Sequence, residues 1–299
     1  MFEHKANWLK KIAQKNTVSG GYIFTGPSGV GKKTLAYNFS CLLTGESKKV
    51  NTFIVRPEVV IKKKKKYEAD IHVKDIRGAN HFMSLKAGNA DHKVCIIERA
   101  EKMTEEAQNA LLKNLEEPKH KSVYIMLAES EQKLLPTIRS RSVLVKLGLV
   151  HPESVYSLIR QKNISPEIAS LSAYYGWGTP EQSLSLAENG QELKKAQRSG
   201  EKLLRFLASP LYERLDLIGK EGEDRAEIQT SVNQWITMLT AALEMSLGAA
   251  FPTLEKESKI SYNPVRIGQI LSELILLKRK LNSPGISARL ALEAAFLNF

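Results

Sequence analysis

The sequence predicts two architectures in series: an α/β domain built on a parallel sheet over the first half, then an all-helical second half. Three observations predict this. A short apolar run, Tyr22-Ile23-Phe24, leads through a glycine-rich turn into helically spaced residues from Thr34 to Leu43. Further runs at Lys93 to Glu98, Ser122 to Ala128 and Val143 to Val145 are almost continuously apolar, as strands buried on both faces are, and helical stretches separate them. Beyond about Val150 no strand-like run recurs.

The 299 residues exceed what one small core accommodates, so two or three domains are expected. Hydrophobic residues at 42% and charged residues at 25% are ordinary for a soluble chain. The net charge of +12 favours association with polyanions, nucleic acid first. Cys41 and Cys95 are the only cysteines and form no C-x-x-C, so neither a disulfide framework nor a cysteine zinc site is indicated, and a reducing cytoplasm fits. Met1 to Lys5 lacks the apolar run of a signal peptide. The longest apolar stretch, Trp235 to Phe251, is broken by Glu244 and reads as a buried helix, not a membrane span.

In chain order, Trp8, Leu9 and Ile12 share one face of a lead-in helix over Asn7 to Lys15. The stretch Gly26-Pro27-Ser28-Gly29-Val30-Gly31-Lys32 follows the first strand. Its glycines permit positive φ angles and close backbone approach, and loop amides with a helix N-terminus make a concave anion site. Lys32 stands where a lysine would reach the outer phosphates. The pattern G-x-x-x-x-G-K-[ST] then fails, because Lys33 replaces the Mg²⁺-ligating hydroxyl. Thr34 comes one residue late, about 100° further round the helix. A fortuitous glycine turn is the competing reading.

Thr52 to Val55 and Val59 to Ile61 read as strands, and five lysines follow, Lys62 to Lys66. These either touch DNA phosphates or form a solvated turn; like-charge blocks are usually the latter. Asp75 opens a helix towards Leu85, and Gly88 to Asp91 is a turn. The strand ending at Glu98 places a carboxylate where phosphate-loop proteins hold their metal, whereas Arg99 occupies the position of an activating glutamate. Thr104 caps a helix whose inward face is Ala107, Leu111 and Leu115, and Pro118 ends it. In the second half, helices are expected over Pro152 to Lys162, Ser165 to Tyr175, a stretch ending at Ala187, Leu193 to Leu207, Ile228 to Leu247, Asn263 to Leu281 and Ile286 to Phe299. The last two carry broad apolar faces, including Leu271, Leu274, Leu276, Leu277, Leu290, Leu292 and Phe296, which suggests an interface.

Taken together, Gly26 to Lys32, Val94-Cys95-Ile96-Ile97-Glu98-Arg99, Asn109-Ala110-Leu111-Leu112-Lys113-Asn114-Leu115-Glu116-Glu117-Pro118 and Leu135-Pro136-Thr137-Ile138-Arg139-Ser140-Arg141-Ser142 form an ordered set. The set resembles the clamp-loader branch of AAA+ proteins, and within it the delta-prime family of bacterial DNA polymerase III. The resemblance is dense over the first domain and rests on layout alone beyond it. It implies an AAA+ α/β domain of phosphate-loop type over residues 1–149, a small helical lid over 150–199 and an all-α collar over 200–299. It further implies a non-hydrolysing clamp-loader subunit that helps load the sliding clamp on primed DNA, within the DNA polymerase holoenzyme in the cytoplasm. Its partners would be gamma/tau-like motor and delta-like subunits, with clamp and primer–template DNA reached through the complex.

Ser140-Arg141-Ser142 matches the family's SRC motif with serine for cysteine, so Arg141 is the residue implied to reach, in trans, ATP on a neighbouring subunit. A surface arginine paired with a carboxylate is the alternative for Arg141. The degenerate nucleotide site would comprise Gly26, Gly29, Gly31, Lys32, Thr34 and Glu98, with ATP bound unhydrolysed or not at all, and no zinc. Lys33, Arg99 and the lack of an arginine in Gly176 to Ser183 depart from the motor subunits. The absent zinc cysteines imply a shortened or differently folded insertion over 44–70. The runner-up is an active motor ATPase of gamma/tau type; a DNA-binding structural protein leaves Arg141 without a task. The histidines His4, His72, His81, His92, His120 and His151 show no H-E-x-x-H spacing, and no G-x-S-x-G occurs.

Overall fold

The computed structural model describes residues 2–15, 17–45, 51–62, 65–85, 92–118, 121–210, 212–214, 225–248, 263–283 and 285–297. The chain divides into two compact units, Met1–Leu149 and Val150–Phe299.

In the first unit, α1 (Phe2–Lys15) precedes β1 (Gly21–Thr25), α2 (Lys32–Thr44), β2 (Thr52–Val55), β3 (Val59–Lys62), β4 (Lys65–Glu68), α3 (Val73–Ser84) and β5 (Lys93–Ile97). Then come α4 (Glu105–Glu116), β6 (Ser122–Ala128), α5 (Pro136–Ser140) and β7 (Val143–Lys146). Five strands form one parallel sheet in the order β2-β5-β6-β1-β7. Successive side chains on a strand point to opposite faces, and here both faces are covered. Tyr22, Phe24, Val94, Ile96, Val123 and Ile125 join a core with Leu9, Leu35 and Phe39 from α1 and α2. Ile23, Cys95, Ile97, Tyr124 and Met126 join the opposite core, with Ile76, Leu111 and Leu115 from α3 and α4. This two-sided burial explains the unbroken apolar runs. Fully burying such a side chain contributes about 1.5–3 kcal/mol of transfer free energy.

The helix boundaries follow local chemistry. Thr104 Oγ1 accepts the Ala107 N–H at 3.3 Å, capping α4 as expected. Pro136 opens α5, where its missing N–H costs nothing. The insertion over 44–70 departs from apolar patterning. β3 and β4 pair antiparallel as a separate two-stranded sheet, with Lys62 opposite Lys65. The lysine run therefore spans the end of β3 and the start of β4; Lys63 and Lys64, like the turn expected at Gly88 to Asp91, lie outside the described residues.

The second unit is helical: α6 (Pro152–Arg160), α7 (Pro166–Tyr175), α8 (Pro180–Glu188), α9 (Gly190–Ala208), α10 (Arg225–Ser246), α11 (Pro264–Asn282) and α12 (Ala288–Phe296). Phe206, Trp235 and Phe296 pack mutually, with ring centroids 4.7–5.7 Å apart, at the centre of a core that includes Leu203, Leu239, Leu274 and Leu292. The lid–collar boundary expected at residue 200 falls inside α9. Three hydrogen bonds, each 2.8–2.9 Å, tie α10 to the segments around it: Trp235 Nε1–H to the Ser199 carbonyl, Gln234 Nε2–H to the Tyr175 carbonyl, and Trp177 Nε1–H to the Glu244 carboxylate. Of the apolar residues singled out on α11 and α12, Leu274, Leu277, Leu292 and Phe296 are buried in this unit's own core. Leu276 and Leu290 remain exposed, at 46% and 64%. No described helix is long and apolar enough to cross a membrane.

Candidate functional site

In open parallel sheets, ligands sit beyond the carboxyl ends of the strands. Here the loop after β1 and the end of β5 lie at that edge, separated by β6. Gly26, Gly29 and Gly31 have φ values of 148°, 78° and 90°, which side-chain-bearing residues rarely adopt. At Gly26 a second constraint applies: a Cβ there would stand 2.1 Å from the Leu147 carbonyl oxygen. The chain leaving β7 crosses directly over the loop, fixed by the Leu147 N–H bond to the Thr25 carbonyl at 2.7 Å. Lys32 begins α2 and turns back over the loop, its Nζ donating to the Gly26 and Pro27 carbonyls at 2.6 and 2.7 Å. Thr34 is exposed in the first turn.

The metal half of the site is built differently. Lys33 Nζ lies 3.0 Å from Oε1 and 3.1 Å from Oε2 of Glu98, which sits just past β5 with only 15% of its side chain exposed. Tyr37, one turn on from Lys33, donates its hydroxyl to Glu98 Oε1 at 3.2 Å. Burial, then the Glu98 charge, raises the Tyr37 phenol above the ordinary tyrosine value. Mg²⁺ requires oxygen ligands in near-octahedral order. An ammonium has no lone pair to offer, and this one faces both oxygens of Glu98 at the end of β5. The residues present do not fit Mg²⁺. Among the described residues no cluster of three or more His, Cys, Asp or Glu side chains could hold another metal.

Arg99 adopts a left-handed conformation at φ 55°, which costs a residue with a Cβ about 1–2 kcal/mol. Carboxylates surround its guanidinium: Glu68 at 3.2 Å, Glu101 at 3.3 Å and Glu129 at 3.9 Å. A guanidinium accepts no proton, so this position cannot activate water.

Arg141 caps the C-terminus of α5, at the opposite end of the sequence motif set. It is 37% exposed and pairs with Glu116 of α4 at 2.7 Å, and it donates to the Thr137 carbonyl and Ser140 Oγ at 3.2 and 3.3 Å. The two motifs that first drew the comparison, one ending α4 and one on α5, thus meet through this ion pair. Sequence reasoning missed Tyr37 and Glu116. Tyr37 was findable from its i,i+4 relation to Lys33; Glu116 was not, because nothing local relates it to Arg141.

Comparisons with known proteins identify the family. A family model described as DNA polymerase III, delta subunit, matches residues 2–150. The chain is 30% identical to a DNA polymerase III subunit delta' from Pseudomonas aeruginosa over 64% of each chain. It is 28% identical to the Bacillus subtilis subunit delta' over 55% of this chain and 53% of that protein. The match to the Haemophilus influenzae subunit delta' is 35% identical but spans 31% of this chain and 29% of the relative. The chain thus spans less than two thirds of the length of each of these curated relatives. Among solved structures, a DNA polymerase III, gamma subunit-related protein from Thermotoga maritima superposes with a TM-score of 0.53 over 98% of this chain and 97% of that one, at 17% identity, a likeness of fold alone. The chain belongs to the delta-prime family of DNA polymerase III subunits.

Proposed function

We propose that this chain is a clamp-loader subunit that hydrolyses no ATP itself and lends Arg141 in trans to ATP held by a neighbouring motor subunit. One observation carries the reading: the groups that would activate water and hold metal are already committed to other partners. Lys33 covers Glu98, and Arg99 sits among three carboxylates. The loop glycines hold positive φ angles, which supports a reading in which ATP would be held, unhydrolysed, by the loop amides and Lys32. The proposed partners are gamma/tau-like and delta-like subunits, with the sliding clamp and primer–template DNA reached through the assembly, in the cytoplasm. The helices beyond residue 200 would form the collar that joins the subunits.

A second reading, an active motor ATPase, draws on the intact glycines and Lys32, and on 26% identity to a DNA polymerase III subunit gamma from Buchnera aphidicola over 41% of this chain. ATP turnover by the purified full chain, with and without primed DNA, separates the two. Loss of a positioned base alone removes about 10²–10⁴-fold in rate, so no turnover above background is expected. DNA-stimulated turnover that disappears in Lys32→Ala would overturn the proposal in favour of the motor.

A further inference from the structure

We infer that the Lys33 ammonium permanently takes the place of the divalent cation in this site, so that the chain binds no metal through Glu98 and would acquire one if Lys33 were removed. Three observations converge. The ammonium contacts both oxygens of Glu98 at 3.0 and 3.1 Å, covering the face of the carboxylate that a metal would use. Tyr37 takes one of the same oxygens from a second direction, at 3.2 Å, and its ring lies beneath the ammonium, 5.9 Å from Nζ to the centroid. Lys33 also occupies the first turn of α2, which contains no acidic residue. A cation there opposes the helix dipole, and Glu98, 65 positions away in sequence, is what offsets it.

The arrangement is a charge-for-charge exchange. A metal bridging α2 to the end of β5 would be held by a hydroxyl from the helix and a carboxylate from the strand. Here the helix supplies the positive charge itself, and the same two elements are bridged without a dissociable ion. The link therefore needs no bound divalent ion. The inference rests on the non-hydrolysing reading only in that a site without metal cannot perform the motor's chemistry.

The test uses Mn²⁺ alone, titrated into the full chain and followed by water-proton relaxation, on wild type, Glu98→Gln, Lys33→Thr and Lys33→Thr/Glu98→Gln. Wild type and Glu98→Gln should give superposable titrations. Lys33→Thr removes the unit positive charge from contact with the carboxylate and restores a hydroxyl, so its Mn²⁺ affinity should rise on the order of tenfold or more. The double variant should lose that gain. Wild-type Mn²⁺ binding abolished by Glu98→Gln would overturn the inference, as would a Lys33→Thr titration indistinguishable from wild type. If Lys33→Thr failed to fold, the wild-type and Glu98→Gln comparison would still decide. Failure here is distinct from failure of the functional reading, which shows itself as ATP turnover lost in Lys32→Ala.

Discussion

Arg141→Ala is the perturbation that weighs most on the proposed function, and the structure fixes the sizes of its competing effects. The guanidinium and Glu116 are 37% and 48% exposed, 2.7 Å apart. An ion pair so exposed contributes about 0.2–1 kcal/mol, and the remaining bonds, to Thr137 and Ser140, are also at the surface. Loss of Arg141 should therefore lower folding stability by less than about 1 kcal/mol, and leave assembly intact. Releasing the side chain from Glu116 towards a neighbour costs at most the same amount, roughly a fivefold factor. Against this stands the contribution of a trans arginine to phosphoryl transfer, about 10³–10⁵-fold. The site served by this chain should fall silent in Arg141→Ala, total turnover should fall by that site's share, and clamp loading should fall further. Lysine should rescue poorly, because it lacks the planar fork. Glu116→Gln should change turnover by no more than about fivefold, since it only frees the guanidinium. The assay is ATPase and clamp-loading rate of the reconstituted complex, with assembly checked by size-exclusion chromatography. Wild-type values for Arg141→Ala in an intact complex would refute the trans role and leave Arg141 as the surface partner of Glu116.

Other expectations follow from the same geometry. Gly26→Ala, which drives a methyl into the Leu147 carbonyl at a positive φ, should destabilise the first unit by at least about 1–3 kcal/mol, read by urea denaturation with probes on each unit separately. Burial drives the Cys95 thiol far above its ordinary value, so a thiol reagent should modify the half-buried Cys41 and spare Cys95 in native protein, as peptide mass mapping would reveal; equal labelling would contradict the packing. The Tyr37 phenol should ionise above the ordinary tyrosine range, with burial as the larger cause and the Glu98 charge the smaller; its midpoint should fall partway in Glu98→Gln, seen as the ultraviolet titration difference between each protein and its Tyr37→Phe counterpart. Because the folded pKa is raised, the neutral phenol is the form that favours folding, and that contribution is full below the unfolded value and lost as pH climbs through the folded one. Leu276→Asp with Leu290→Asp, on the exposed apolar faces of α11 and α12, should weaken incorporation into the complex while leaving the melting temperature of the isolated chain nearly unchanged.

The elements that sequence makes legible are those where one local rule suffices. β5 and β6 show as unbroken apolar runs because both faces are covered, and α4 shows because Thr104, Ala107, Leu111 and Leu115 state its cap and its inward face in consecutive turns. β4, Lys65–Glu68, was illegible: its pairing with β3 is a backbone matter, and lysine-rich sequence carries no apolar alternation. The continuity of α9 through residue 200 was likewise hidden, since the reason lies in Trp235 and the Ser199 carbonyl, 36 positions apart. At the site, motif matching located Gly26, Gly29, Gly31, Lys32, Glu98 and Arg141. It could not show that Lys33 is the partner of Glu98 or Glu116 that of Arg141, because those meetings depend on sheet order and on how α4 and α5 pack.

The contact between Gly26 and Leu147 bears on what a sequence signature records. The first glycine of the loop is required by the carbonyl of a chain segment more than a hundred positions later, whether or not a phosphate ever arrives. Thr34, by contrast, is exposed in the first turn of α2 and can vary at little structural cost. Selection for packing alone would therefore preserve the glycines while the chemistry around them drifts. In such a lineage the loop becomes a fossil held in place by its architecture, and the positions that report whether it still works are the ones free to change.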